Sequence, residues 1–289
     1  MSEAIQQKLR DPAYLDLHLA AVASLKKVSR FVWYDSGFLH EFEAAKRFLS
    51  EVRPDALSMF VEAFDALRPR RDFKVTMIDG LFDTATHERI CEIARARPEQ
   101  EQVAYETEGF GRYVVQHHPE FDALQREVLP LVSDRVGHEL TAGYNFLSLY
   151  DKAGKCDMHM DEPVSMYTLD YCIEQSCEWP IYFSETVEWP TLEASRNWSP
   201  RDMPQKADLT FEKHLLRPNN ALIFNGSSQW HYRDPIPAGG HCSLLFFHYF
   251  PVGCQDLVEP CLWYRHFDIP ELEPFCELLR LRIPRHGLQ

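Results

Sequence analysis

The sequence predicts an α+β fold: an antiparallel β-sandwich or barrel with supporting helices and an N-terminal helical extension. Three observations point there. Apolar residues over the first 67 or so positions recur at helical spacing. From Leu140 onward the period changes to two. The strand candidates that follow are not separated by regular helices, which argues against a parallel α/β sheet.

The helical extension is read from side-chain spacing. Leu15, Leu19 and Val22 keep the i, i+4, i+7 spacing of one helix face, as do Phe38, Phe42, Ala45 and Leu49, and then Phe60, Phe64 and Leu67. Arg68-Pro69-Arg70-Arg71-Asp72 reads as a solvated linker, because Pro69 cannot continue a helix and disfavours helical geometry at Arg68. Phe73–Ile78 is a strand candidate. Asp83 or Thr84 can cap a helix carrying Ile90 and Ile93. Pro119 sits where a first-turn proline belongs, opening a helix with Phe121, Leu124, Val128 and Val132, which Pro130 should kink or split. In the β region Tyr144, Phe146, Ser148 and Tyr150 alternate with Asn145, Leu147 and Leu149. Further strands are expected at Met166–Ile173, Pro180–Phe183, Asn220–Asn225 and Cys242–Phe250. Residues 184–206, with Trp189, Trp198 and three prolines, read as a long loop, either an ordered insertion or a lid. A helix is expected around Leu272–Leu281. The segments are thus 1–72 (helical extension), 73–250 (β domain) and 251–289 (helical tail).

Composition excludes several classes of function. Of 289 residues 45% are hydrophobic, enough for a substantial core, and the net charge is -14 with no long basic run. That argues against nucleic acid or an anionic membrane as partner. The N-terminal residues lack a secretory pattern and no stretch approaches a membrane span, so the expectation is a cytoplasmic protein with reduced thiols. The eight cysteines include no Cys-x-x-Cys pair, which speaks against a thiolate zinc site. Cys156 reads as a packing residue rather than a ligand, and Tyr113, His117 and His118 either line the pocket or are ordinary surface or edge residues.

The chemistry concentrates in His159-Met160-Asp161 and in His231, at the end of Phe224-Asn225-Gly226-Ser227-Ser228-Gln229-Trp230-His231. Positions two apart on a strand share a face, so an imidazole and a carboxylate point into one space. A second imidazole from a remote strand can complete a three-ligand set. Two histidines and a carboxylate with open positions are the ligand set of non-haem Fe(II) oxygenases, although zinc accepts the same ligands.

Residues 73–250 resemble the prolyl-4-hydroxylase-like branch of the Fe(II)/2-oxoglutarate dioxygenases. The resemblance rests on Leu147-Ser148-Leu149-Tyr150 before His159-Met160-Asp161, on Leu216-Arg217-Pro218-Asn219-Asn220-Ala221-Leu222-Ile223-Phe224 before His231, and on Arg233-Asp234-Pro235-Ile236-Pro237-Ala238-Gly239-Gly240 before a strand. It implies a double-stranded β-helix, the jelly-roll or cupin-like barrel, with Fe(II) held by His159, Asp161 and His231. It further implies 2-oxoglutarate and dioxygen as co-substrates, and decarboxylation to succinate coupled to hydroxylation of an unactivated C–H of a small molecule, amino acid or peptidyl side chain. Tyr150 matches a tyrosine that reaches the 2-oxoglutarate carboxylate, or is an aromatic core residue. Asp161 argues against halogenation, since halogenases of this superfamily lose the carboxylate.

The sequence departs from the family on the last strand. The usual Arg or Lys two residues before Ser or Thr is replaced in His241-Cys242-Ser243. His241 and Ser243 share a strand face, and a protonated His241 could meet the far carboxylate, but it titrates near neutrality whereas arginine stays charged. Arg233, two residues after His231, can replace the missing cation or sit at the barrel rim. Glu178-Trp179-Pro180-Ile181-Tyr182-Phe183 stands where a glycine-rich segment is usual. An iron oxygenase that does not use 2-oxoglutarate, a zinc hydrolase and a non-catalytic cupin-like module are the alternatives.

Overall fold

The computed structural model describes residues 3–28, 30–31, 36–102, 105–151, 153–189 and 209–282 of the chain, and among these described residues ten antiparallel strands form two sheets. The strands are β1 (Thr76–Ile78), β2 (Arg112–Gln116), β3 (Leu140–Tyr150), β4 (Cys156–His159), β5 (Tyr167–Gln175), β6 (Ile181–Thr186), β7 (Phe211–His214), β8 (Ala221–Phe224), β9 (Gln229–Arg233) and β10 (Cys242–Pro251). One sheet has the order β1-β8-β5-β10-β3-β2 and the other β4-β9-β6-β7. Both are open, so the arrangement is a two-sheet sandwich rather than a closed barrel. The metal-motif strands β4 and β9 lie side by side in the smaller sheet, and the long central β3 and β10 pair in the larger one.

The alternation in β3 and β10 divides two cores. Phe146, Tyr150, Leu244 and Phe246 face inward and meet Trp179, Ile181 and Phe183 of the smaller sheet. Leu147, Leu245, Phe247 and Tyr249 face the opposite way and join the helical core. Each face is apolar because each is covered.

The helical layer is made by both chain ends. The N-terminal helices are α1 (Glu3–Lys8), α2 (Pro12–Lys27), α3 (Phe38–Val52) and α4 (Leu57–Ala63). Asp11 caps α2 by accepting from the Ala13 amide at 3.0 Å, with Pro12 in the first turn. Phe38, Phe42, Phe60 and Phe64 project together and enclose Trp263 of α7 (Trp263–His266). Ring pairs of this kind add about 0.5–1.5 kcal/mol each beyond their buried area. Phe48 likewise meets Phe275 of the C-terminal helix, a contact between the two ends of the sequence.

Between these lie two helices. α5 (Thr84–Ala96) is capped by Asp83 and not by Thr84: the Asp83 carboxylate accepts from the Thr86 amide at 2.7 Å. α6 (Pro119–Val136) is not split at Pro130. Proline removes one intrahelical hydrogen bond, yet Phe121, Leu124, Val128 and Val132 are all buried against the sheet, and that packing carries the helix through. The C-terminal helix, α8 (Glu273–Arg282), follows the expected tail. Residues 190–206, most of the expected loop or lid, lie outside the described residues. Just before them, the Trp189 indole donates to the Ser227 carbonyl at 3.0 Å and its ring meets Phe38 and Phe42. Among the described residues no helix is long and apolar enough to cross a membrane, and the eight cysteines are free thiols.

Candidate metal centre

His159 and His231 stand opposite each other across the β4–β9 ladder, with ring centroids 4.3 Å apart. β4 ends at His159, and the chain holds Asp161, two residues further on, by its backbone N–H donating to the Gly226 carbonyl at 2.8 Å. Asp161 Oδ1 then lies 3.4 Å from His159 Nε2 and 3.5 Å from His231 Nε2. The three ligand atoms all lie within 4.8 Å of one another.

The far side of each imidazole is pinned. His159 Nδ1 donates to the Asp157 carbonyl at 2.8 Å, and His231 Nδ1 to the Gln229 carbonyl at 2.9 Å. Each bond is to a backbone oxygen, which can only accept, so Nδ1 carries a proton and Nε2 is the nitrogen left to offer a lone pair to a metal at the shared point. That is the tautomer a metal ligand needs, with its orientation fixed by a second partner. Phe110 packs against His159, and Phe183 and Phe224 against His231. Burial disfavours charge here, yet Cys156 and Asp161 raise His159 well above the usual imidazole range. Burial acts against Asp161 as well, but the two imidazoles hold its carboxyl well below the usual range. A divalent cation satisfies the same carboxylate while both rings stay neutral. Cys156 Sγ lies 3.8 Å from the backbone-bonded nitrogen of His159, away from the convergence point.

Gly226 makes the close approach possible. A Cβ there would lie 2.4 Å from Asp161 Oδ2 and 2.4 Å from the Ser165 carbonyl. Thr168 Oγ1 is 3.5 Å from that same Oδ2.

The triad opens into a cavity of about 810 Å³. Tyr150 lines it, and its hydroxyl accepts from Arg112 at 3.0 Å. Arg112 enters from β2, paired in register with Tyr150, and also faces Glu106. Its guanidinium stacks on Phe110 at 4.1 Å. Gly111 sets this entry: its φ is +65°, and a Cβ there would lie 2.1 Å from the Ala153 carbonyl. Arg233 also lines the cavity, fully buried, donating to Asp170 at 2.7 Å and to the Trp179 carbonyl at 2.6 Å. Tyr150 thus lies between two buried guanidiniums.

The structure does not bring His241 and Ser243 to this cavity. His241 is exposed just before β10, and its backbone N–H is held by Ser176. Leu244, Phe246 and His248 take the inward face, so Ser243 belongs to the opposite one. His117 lies at the outer wall of the cavity, whereas the Tyr113 hydroxyl is engaged by the Pro98 carbonyl and the Gln100 amide. Arg112 carries no sequence signal beyond a lone charge beside Gly111 in a short strand.

No family model matches the chain, and no curated protein matches it in sequence. Among solved structures, the non-haem α-ketoglutarate-dependent epimerase SnoN from nogalamycin biosynthesis matches at a TM-score of 0.51 and 12% identity, over 68% of this chain and 84% of that one. The fold is that of the 2-oxoglutarate/Fe(II) oxygenases. It is their double-stranded β-helix, and the likeness does not select a branch within the superfamily. HygX from Streptomyces hygroscopicus, solved with nickel, 2-oxoglutarate and hygromycin B bound, matches at 0.49 and 15% identity, over 68% of this chain and 87% of that one. AviO1 from Streptomyces viridochromogenes Tue57 matches at 0.48 and 13% identity, over 67% of this chain and 95% of that one.

Proposed function

We propose that this double-stranded β-helix protein is an Fe(II)- and 2-oxoglutarate-dependent oxygenase that hydroxylates an unactivated C–H of a small-molecule substrate. The observation that carries the reading is the convergence of His159, Asp161 and His231, with both Nε2 lone pairs facing one point at the head of a cavity. Two neutral imidazoles and one carboxylate, leaving positions open, suit ferrous iron.

The residues present also fit a dicarboxylic keto acid. Arg112, Tyr150 and Arg233 form a cationic, hydrogen-bonding corner in the same cavity. Arg112 and Tyr150 would hold the far carboxylate of 2-oxoglutarate, and Arg233 would brace the wall behind them. When bound, iron and the keto acid supply oxidative decarboxylation with dioxygen. The protein's own residues orient and exclude. His159 and His231 hold their protons on Nδ1, facing backbone carbonyls. Phe110, Phe183 and Phe224 keep water from the ligands, and the cavity positions one substrate carbon beside the open face.

The test is an anaerobic Fe(II) titration with and without 2-oxoglutarate, followed by succinate assay in air. The reading expects the visible charge-transfer band of the chelate and succinate release. A chelate band with no succinate in the presence of any substrate would favour a binding module. Turnover without keto acid would favour an independent iron oxygenase, and zinc retained through purification would favour a hydrolase.

A further inference from the structure

We infer that the outer half of the cavity receives a cationic, amine-bearing substrate. The inference rests on the oxygenase reading above and names the substrate class of that same site. Six carboxylates line the cavity, Glu41, Glu106, Asp122, Asp161, Glu162 and Glu259, against two guanidiniums, Arg112 and Arg233. The guanidiniums are engaged at the inner end, by Glu106 and by Asp170. Asp161 belongs to the metal triad. Among the described residues no Lys or Arg forms an ion pair with Asp122 or Glu259. Burial alone raises the Glu259 carboxyl above the usual range, the mark of a carboxylate taken from water without a cation beside it. A ferrous ion and a keto diacid cancel each other's charge and leave this excess unchanged.

A second observation is independent of the carboxylates. His248 lines the same cavity, is 3% exposed, and has no partner at Nε2. Its other nitrogen lies 3.0 Å from Thr168 Oγ1. The single Thr168 hydroxyl proton has acceptors at the Ser165 carbonyl, 3.4 Å, and at Asp161 Oδ2, 3.5 Å. When Thr168 donates to either of them it accepts the Nδ1–H of His248, and in that tautomer the unpartnered Nε2 is an acceptor. Asn145 at the cavity wall likewise keeps an unpartnered carbonyl oxygen, while its amide donates to Asp122 and Gln125. Buried acceptors without donors are costly. A ligand rich in N–H donors satisfies them and the carboxylates together.

The outer wall comes largely from outside the sandwich. Residues 36–38 and Glu41 at the start of α3, and Gln255 with residues 258–260 after β10, line it.

The test loads the protein anaerobically with Fe(II) and 2-oxoglutarate and measures calorimetric binding of spermidine, lysinamide and 2-deoxystreptamine. Each is compared with its N-acetylated form, and glutaramide serves as a neutral reference. The expected result is that at least one amine binds about tenfold more tightly than its acetylated form, and that Asp122→Asn and Glu259→Gln each weaken it several-fold to about tenfold. The chelate band reports that each variant is folded and loaded. Equal binding of amines and acetylated forms, no binding by any amine, or amine affinity unchanged in both variants would overturn the inference. Loss of the chelate band in the parent protein would instead count against the oxygenase reading, and amine binding would then be read on the metal-free protein.

Discussion

The Asp161 carboxylate and the Gly226 backbone occupy adjoining space with no room for another atom: the Asp161 amide bonds the Gly226 carbonyl at 2.8 Å, and a Cβ on Gly226 would fall 2.4 Å from Asp161 Oδ2. Gly226→Ala should therefore displace the carboxylate ligand before it disturbs the sandwich. Overpacking of this kind costs about 1–3 kcal/mol, and a displaced ligand costs about 10–100-fold in metal affinity. Anaerobic Co(II) or Fe(II) titration of the variant would show it. Wild-type metal affinity in Gly226→Ala would refute the close-contact role.

Arg112→Met removes the guanidinium that bonds Tyr150 across β2 and β3. A charge-assisted hydrogen bond contributes about 1.5–3 kcal/mol, so 2-oxoglutarate should bind about 10–100-fold more weakly. Tyr150→Phe should move affinity in the same direction by less. His241→Ala should leave it unchanged, because His241 is exposed and absent from the cavity wall. Titration of the chelate band reads all three, and a loss confined to His241→Ala would reverse the assignment.

How much of this was legible in the sequence depends on the range of the interaction involved. His159, Asp161 and His231 could be found because two lie on one strand end and the third follows a strongly apolar strand, Ala221–Phe224. The helix face of Phe38, Phe42 and Leu49 was local in the same way. The phase of β10 was not local. Cys242 to Phe250 are buried on both faces, so no polar alternation marks which side meets the cavity. The ladder with β3 decides it and turns Leu244, Phe246 and His248 inward, leaving Ser243 on the other side. Arg112 was hidden for a related reason: β2 is five residues long, and its meaning comes from register with Tyr150, 38 positions away. β7 is four residues with two charges and carries no strand signature of its own.

Arg233 and Asp170 are both almost wholly buried and share one 2.7 Å bond, with Asp170 Oδ1 lacking a partner. Burial raises the Asp170 carboxyl above its usual range despite the guanidinium beside it. Removing one member should therefore leave a stranded buried charge. Arg233→Met is expected to cost about 3–5 kcal/mol in urea unfolding, and Arg233→Met with Asp170→Leu should regain most of it. If Arg233 also contacts the keto acid, the double variant will fold normally yet bind 2-oxoglutarate poorly. Full recovery of both would make the pair structural alone.

His248 gives the protein a defined acid response. Burial lowers its imidazole to about 4 from 6.5. As pH falls through about 6.5 the unfolded chain takes up a proton that the folded chain refuses until about 4. Folding is therefore progressively disfavoured over that interval, and the effect levels off below it. Between pH 7.5 and pH 5 the difference amounts to about 2 kcal/mol from this residue. Phenylalanine fits the same aromatic surroundings of Tyr144 and Phe146 and has no proton to bind. His248→Phe should then lose about 2 kcal/mol less than the parent across those two pH values in urea titrations. Parallel pH profiles for the two proteins would mean that burial does not lower the His248 imidazole in the folded state.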